Sequence, residues 1–373
     1  MFCLMSDCAE NFINFFDKSQ TMTVELKDAF TRYTNDVIAS VAFGVNCNSL
    51  QQRDNEFYTM GREATNFSGF WKNLSFVLMI VAPTLAKFLG VTVFNKKVSA
   101  FFRRLVSENI KSREKNGIVR PDMINLLMEA KNERLLKIQE TDVDADRSML
   151  KREFSDDDLT AQALIFFFAG FESVSTLMCF TAYELAVDPM VQRKLQDEID
   201  TVWQCESTLT YEALQKMEYL DMVISETLRK WPSAIATDRL CVKPYTIQPE
   251  KEGEKPINLV KGDVIWLPIV ALHYDEQYFP EPDRFIPERF SQENKASLNS
   301  YAYIPFGVGP RNCIGNRFAL LETKILFCNL LKKFDIVIVD KSVVPMKLSR
   351  KQFNPTSENG FWFGLKPRHQ TTL

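Results

Sequence analysis

The chain has 373 residues, of which 46% are hydrophobic and 25% charged, the balance of a globular protein with a sizeable core and not of a disordered chain. Its formal net charge is −3 at pH 7, so no basic field exists to hold a phosphate backbone, and nucleic-acid binding is excluded. Thirty phenylalanines point to an aromatic core, while two histidines, His273 and His369, leave little room for His-rich metal sites or several His-dependent centres.

Residues 1–17 read as an amphipathic helix already under way, with Met1, Met5, Cys8, Phe12, Phe15 and Phe16 on one side. The order of a secretory signal is missing, and the chain is expected to begin in the middle of a fold. Helical period continues near 23–41, 53–66, 95–115, 121–132, 155–187, 189–204, 210–217 and 219–231. The stretch Leu74 to Phe94 is the most apolar, but Pro83, Lys87 and Gly90 interrupt it. It reads either as two short core or surface helices or as a segment dipping into a membrane surface. The helix at 155–187 opens on Ser155 as N-cap, followed by Asp156, Asp157 and Asp158, which suit the positive end of the helix dipole. It stops at Asp188-Pro189, and its length predicts that it crosses the whole core. After 232 prolines multiply, and strands are predicted at 245–248, 257–260, 264–267 and near the C-terminus. A last helix, 316–333, feeds a β-like tail from Asp335 to Val339. The eight cysteines contain no CxxC pair and are irregularly spaced, which excludes a zinc ribbon and a disulfide framework; they read as reduced and cytosol-facing. No uninterrupted apolar run of 20 residues occurs, which argues against a channel or transporter.

The chemistry concentrates in Pro305-Phe306-Gly307-Val308-Gly309-Pro310-Arg311-Asn312-Cys313-Ile314-Gly315. Two glycines and a proline describe a loop whose backbone approaches something flat or bulky, and Cys313 precedes a helix N-terminus that would stabilise a thiolate. Three readings stand side by side: a structural cysteine, a nucleophilic pair with His273, and a metal thiolate with Arg311 meeting an acidic group of a cofactor.

The whole pattern F-G-x-G-x-R-x-C-x-G resembles the haem-binding loop of the cytochrome P450 superfamily, the haem-thiolate monooxygenases. The resemblance makes Cys313 the axial ligand of haem b, sets Phe306 and Gly315 against the haem, and gives Arg311 a propionate. Glu226-Thr227-Leu228-Arg229 is similar to the family's E-x-x-R, and Pro287-Glu288-Arg289-Phe290 to its P-E-R-F, so that Glu226, Arg229 and Arg289 are expected to form a structural network. Ala169-Gly170-Phe171-Glu172-Ser173 resembles the oxygen-side helix motif, with Ser173 where the family usually has threonine. It implies that Ala169 lies over the haem and that Glu172 and Ser173 steer protons. For Gly170 alone, close helix packing is the competing reading. Of the preceding aromatics, Phe168 is expected to face the substrate, with Phe166 and Phe167 open to a plain core reading. Ala234 and Ile235 match pocket positions, Arg239 a second propionate partner, and His273 a structural histidine.

By the same resemblance the fold is mainly α with a small β portion, one domain over 1–373 with the haem-binding loop at 305–315. It runs from the family's D helix onward, without the N-terminal anchor, first strands and B and C helices. The wording around the motifs resembles insect microsomal members linked to xenobiotic oxidation. The implied activity is insertion of one atom of O2 into hydrophobic small molecules. Electrons come from NADPH through the P450 reductase, with cytochrome b5 as a further partner, at the cytosolic face of the endoplasmic reticulum membrane. Lys324, Lys332 and Lys333 suggest a basic docking face, against the plainer reading of a solvated helix face. The alternative to an enzyme is a truncated, non-catalytic remnant that keeps the motifs and fails to hold haem.

Overall fold

The structure, a computed structural model, describes residues 1–65, 70–92, 94–140, 155–205, 208–350 and 355–368; His369 lies outside them. Helix α1 (Phe2–Phe16) buries Met5, Ala9, Phe12, Ile13 and Phe16, the one-sided stripe its sequence predicts. The helix expected from 23 begins later. Strand β1 (Met22–Glu25) comes first and pairs antiparallel with β7 (Trp362–Pro367), from Met22 opposite Leu365 to Glu25 opposite Trp362. Glu25 then ends the strand and caps α2 (Leu26–Phe43): its carboxylate accepts from Asp28 N at 2.7 Å and from Phe361 N at 2.8 Å. Local period cannot reveal a partner more than 300 residues away, which is why this strand was read as helix. On the other side of β7 lies β6 (Phe334–Val337), so the sheet order is β1-β7-β6.

Helices α3 (Glu56–Thr65), α4 (Phe70–Val81), α5 (Pro83–Phe88), α6 (Lys96–Asn116) and α7 (Met123–Glu140) follow. The apolar stretch from Leu74 is thus two short helices, and Val77, Val81, Leu85, Phe88 and Leu89 on them are exposed.

The organising element is α8 (Asp156–Val187), 32 residues long. Its start is a capping box: Ser155 Oγ accepts from Asp158 N, and the Asp158 carboxylate accepts from Ser155 N. By length and composition it could cross a membrane, yet its apolar character is used internally. Phe167 and Phe171 enter an aromatic cluster with Phe43, Phe57 and Phe102, where Phe167 lies 5.1–6.2 Å from the other four rings. Gly61 makes room for it, since a Cβ there would come within 2.3 Å of the Phe167 ring. Past Phe171 the helix enters a second cluster, where Val174, Leu177, Met178 and Phe180 pack with α1, α2 and α14 (Asn316–Lys333). One helix therefore joins both cores.

Beyond α9 (Pro189–Cys205), α10 (Tyr211–Gln215) and α11 (Glu218–Lys230) come two small antiparallel pairs. Strand β2 (Thr237–Leu240), which the sequence reading missed, pairs with β5 (Val264–Leu267), and β3 (Tyr245–Ile247) with β4 (Ile257–Leu259). The eight cysteines are free thiols. Helix content far exceeds sheet, in keeping with the expected mainly α fold.

Candidate functional site

The 305–315 loop folds back on itself before α14. Cys313 N donates to Phe306 O at 2.8 Å, closing a backbone ring around Gly307 (φ 71°) and Gly309 (φ 79°). Left-handed backbone of this kind costs a side-chain-bearing residue about 1–2 kcal/mol, so glycine fits both turns. Phe306 is half-buried and packs against the larger core, which anchors the loop. Cys313 itself is exposed, and Gly315, the N-cap of α14, leaves ordinary contact room beside its sulfur. A cysteine joined to solvent at a helix start, in a turn that only glycines complete, does not behave as a core residue. Nor does it meet the histidine of the nucleophile reading.

That histidine, His273, ends helix α12 (Ile269–His273) and is fully buried. Its Nε2 accepts from Ile304 N at 3.0 Å and its Nδ1 donates to Arg229 O at 3.0 Å. Burial pushes its pKa down to about 4, so it stays neutral and ties the α11 end to the segment entering the loop. Arg229 and Glu226, both with no exposed side-chain surface, form a bidentate pair at 2.7 and 2.8 Å. Arg229 also donates to the carbonyls of His273 and Arg284, while Glu226 accepts from Ile286 N at 3.0 Å and Arg289 Nε at 3.4 Å. Glu226, Arg229 and Arg289 are thus brought into one network, while the fourth charge of the two motifs, Glu288, pairs with Lys194 outside it.

On α8, residues spaced three and four apart form an exposed stripe: Ile165, Phe166, Ala169 and Ser173. Ser173 Oγ donates to Ala169 O at 2.5 Å, leaving its lone pairs free to accept. Gly170 lies against α2, where a Cβ would come within 2.9 Å of Ile38 Cδ1. The aromatics sort differently from the sequence expectation. Phe167 is core, Phe168 is half-buried with its ring 6.2 Å from Phe94, and Phe166 shares the exposed stripe. A turn of 100° per residue places position 166, not 167, on the face of Ala169. Glu172 does not meet Ser173 either: its carboxylate pairs with Lys27 on α2 at 2.9 Å. Lys27 and the exposed Ile165 were not singled out from the sequence, and Phe166 was left open to a core reading; for the latter two, spacing from Ala169 was the available signal.

Ala234 and Ile235 are exposed in the segment that leaves α11 for β2, and Ile235 O accepts from Val270 N. Arg239, on β2, donates to Asp238 O at 2.7 Å and to Val308 O of the glycine loop at 3.4 Å. Arg311 is exposed in the short 3-10 turn Gly309–Arg311. The proposed basic face does not form. Lys324 is buried and paired with Asp221, Lys332 lies 3.3 Å over the Trp203 ring, and Lys333 pairs with Asp17 at 2.7 Å. Helical period turns Lys324 inward, and neither the solvated nor the docking reading describes it.

A family model described as cytochrome P450 matches residues 1–362. Cytochrome P450 9e2 of Blattella germanica is 47% identical over 99% of this chain and 71% of its own length. Probable cytochrome P450 9f2 of Drosophila melanogaster is 44% identical over 99% and 70%, and cytochrome P450 9c1 of the same fly 42% over 99% and 71%. Identity at this level, along almost the whole chain, carries the fold. The chain belongs to the cytochrome P450 family, monooxygenases that use haem b and take electrons from NADPH through a reductase.

Proposed function

We propose that this chain binds haem b through Cys313 and oxidises hydrophobic small molecules, xenobiotics among them. The observation that carries this is the exposed Cys313 thiol in a glycine-closed turn at the start of α14. The surroundings fit a flat, acidic-edged group: the glycines keep side chains off the loop face, and two arginines, Arg239 and Arg311, stand at the loop and are suited to propionates. When bound, haem supplies the activation of dioxygen and the oxygen transfer. The protein's part is positional. Cys313, just ahead of α14, would hold the iron through its sulfur. Ala169 offers a small side chain where a larger one would block close approach, and Phe306 and Gly315 complete the lining. Ser173 Oγ, already bound to Ala169 O, accepts and passes on a proton, with Glu172 as its supply. Phe168, Ala234 and Ile235, joined by Phe166 from the exposed stripe, line the substrate side and exclude water.

The exposed apolar side chains of α4 and α5, Phe88 above all, suit contact with a membrane surface and support a location on the cytosolic face of the endoplasmic reticulum. There the P450 reductase, and cytochrome b5 as a second donor, would reach it. The test is Cys313→Ala in the haem-loaded protein. The thiolate signature of the ferrous carbon monoxide complex should disappear, and its persistence would remove Cys313 as ligand. One observation favours a second reading, a chain that keeps the motifs without retaining haem: Leu240, Val264 and Trp266, on the sheet that carries Arg239, are left exposed. Haem per protein after purification decides between the two.

A further inference from the structure

Lys27 reaches from α2 across to α8, where its ammonium lies 2.9 Å from Glu172 Oε1, 2.9 Å from Ser175 Oγ and 2.8 Å from Thr176 Oγ1, and 3.4 Å from the Glu172 carbonyl. Ser175 and Thr176 give their own hydroxyl protons to helix carbonyls, Phe171 O and Glu172 O, so their lone pairs are turned to the lysine. Three ammonium protons thus meet preset acceptors, and a side chain that is only one-fifth exposed is held in one place. Two further titratable groups lie close by. Glu25 does not compete for the lysine, because both its oxygens accept backbone N–H groups. Cys179 is fully buried, and desolvation keeps it a neutral thiol. The lysine's charge is therefore directed at Glu172.

We propose that Lys27 is a positioning residue for proton delivery: it holds the Glu172 carboxylate in one orientation on the flank of α8, one residue from Ser173. The proposal rests on the reading of Glu172 and Ser173 as the proton route. A glutamate has three rotatable bonds, and a proton donor works only when it stays within hydrogen-bond reach, directly or through one water. Because the two side chains do not touch, Glu172 takes a proton from solvent and passes it through one bridging water to Ser173 Oγ, which releases its own inward; no other bond changes. Without Lys27 the carboxylate wanders and the relay is interrupted for most of the time.

Two measurements test this. In urea unfolding of the full chain, Lys27→Met and Glu172→Gln should be non-additive, the double variant being more stable than the two single losses imply. Additive losses overturn the clamp. In the haem-loaded chain with reductase, Lys27→Met should keep its haem content while peroxide release relative to product rises about tenfold, and Lys27→Arg should restore the ratio. An unchanged ratio in Lys27→Met, with Ser173→Ala still raising peroxide, overturns the role of Lys27 alone. An unchanged ratio in Ser173→Ala as well overturns the proton route itself, and a chain that takes up no haem overturns both.

Discussion

The network of Glu226, Arg229, Arg289 and His273 and the loop around Cys313 are joined through Ile304, yet they are built on opposite principles. In the first, Glu226, Arg229 and His273 are fully buried, Arg289 is partly so, and nearly every polar atom has a protein partner. In the second, backbone turns do the shaping and the chemically active side chains are left open. A buried network of this density is completed by the protein itself and therefore supports stability. A loop with an open thiol and an exposed arginine, Arg311, is finished only by a group that is not protein. The contrast separates what holds the fold from what the fold is for.

The sharpest way to break that distinction is Cys313→Ala. Complete loss of the thiolate signature should come with an unchanged urea midpoint of the haem-free chain, because the exposed Sγ supports no core contact. A large fall in that midpoint would make the loop part of the scaffold. Glu226→Ala should do the reverse. It leaves Arg229 buried, and Arg289 partly so, beside an empty acceptor, at a cost of roughly 3–5 kcal/mol. Against a typical stability of about 5–15 kcal/mol, that is a large share, and the urea midpoint should fall steeply. A soluble variant with wild-type unfolding would show that the pair carries little.

His273 sharpens the comparison through pH. Its folded pKa, about 4, lies below the ordinary histidine value of about 6.5. The unfolded chain therefore binds the extra proton first, and this contribution to stability is complete above about pH 6.5 and is lost as pH falls towards 4. The shift corresponds to roughly 3 kcal/mol. Urea midpoints at pH 7 and pH 5 should differ less in His273→Gln than in the parent chain; an equal difference in both would detach His273 from the acid response. The smallest effect belongs to Gly309→Ala. With φ at 79° the alanine should cost about 1 kcal/mol of stability and weaken haem retention more than Gly253→Ala, a left-handed glycine in a distant hairpin. Equal haem retention in both would mean that the loop turn has no special part in holding the group.

Much of this was legible before any coordinates. Helices 155–187 and 316–333 are found within a residue of their expected bounds, because caps and a proline stop are local signals. Cys313 could be singled out because glycine, arginine and cysteine at fixed spacing are rare together. Lys27 could not be found that way, since it lies 145 residues from Glu172 and nothing in its own neighbourhood marks it. Which of Phe166, Phe167 and Phe168 enters the core was hidden for a related reason. Three successive phenylalanines look alike in composition, and only the packing of α8 against Gly61 and Phe94 sorts them.

By itself the sequence determined the helix-rich class, the glycine turn before α14 and the residue types that meet in the Glu226 network. These depend on backbone preferences and spacings of a few residues, which are written locally. Tertiary structure decided the pairing of β1 with β7, the inward turn of Lys324 towards Asp221 and the capture of Glu172 by Lys27. Each of these requires two distant segments to be brought within a few ångströms, and that distance is set by how the two cores close around α8, not by any residue's own propensity.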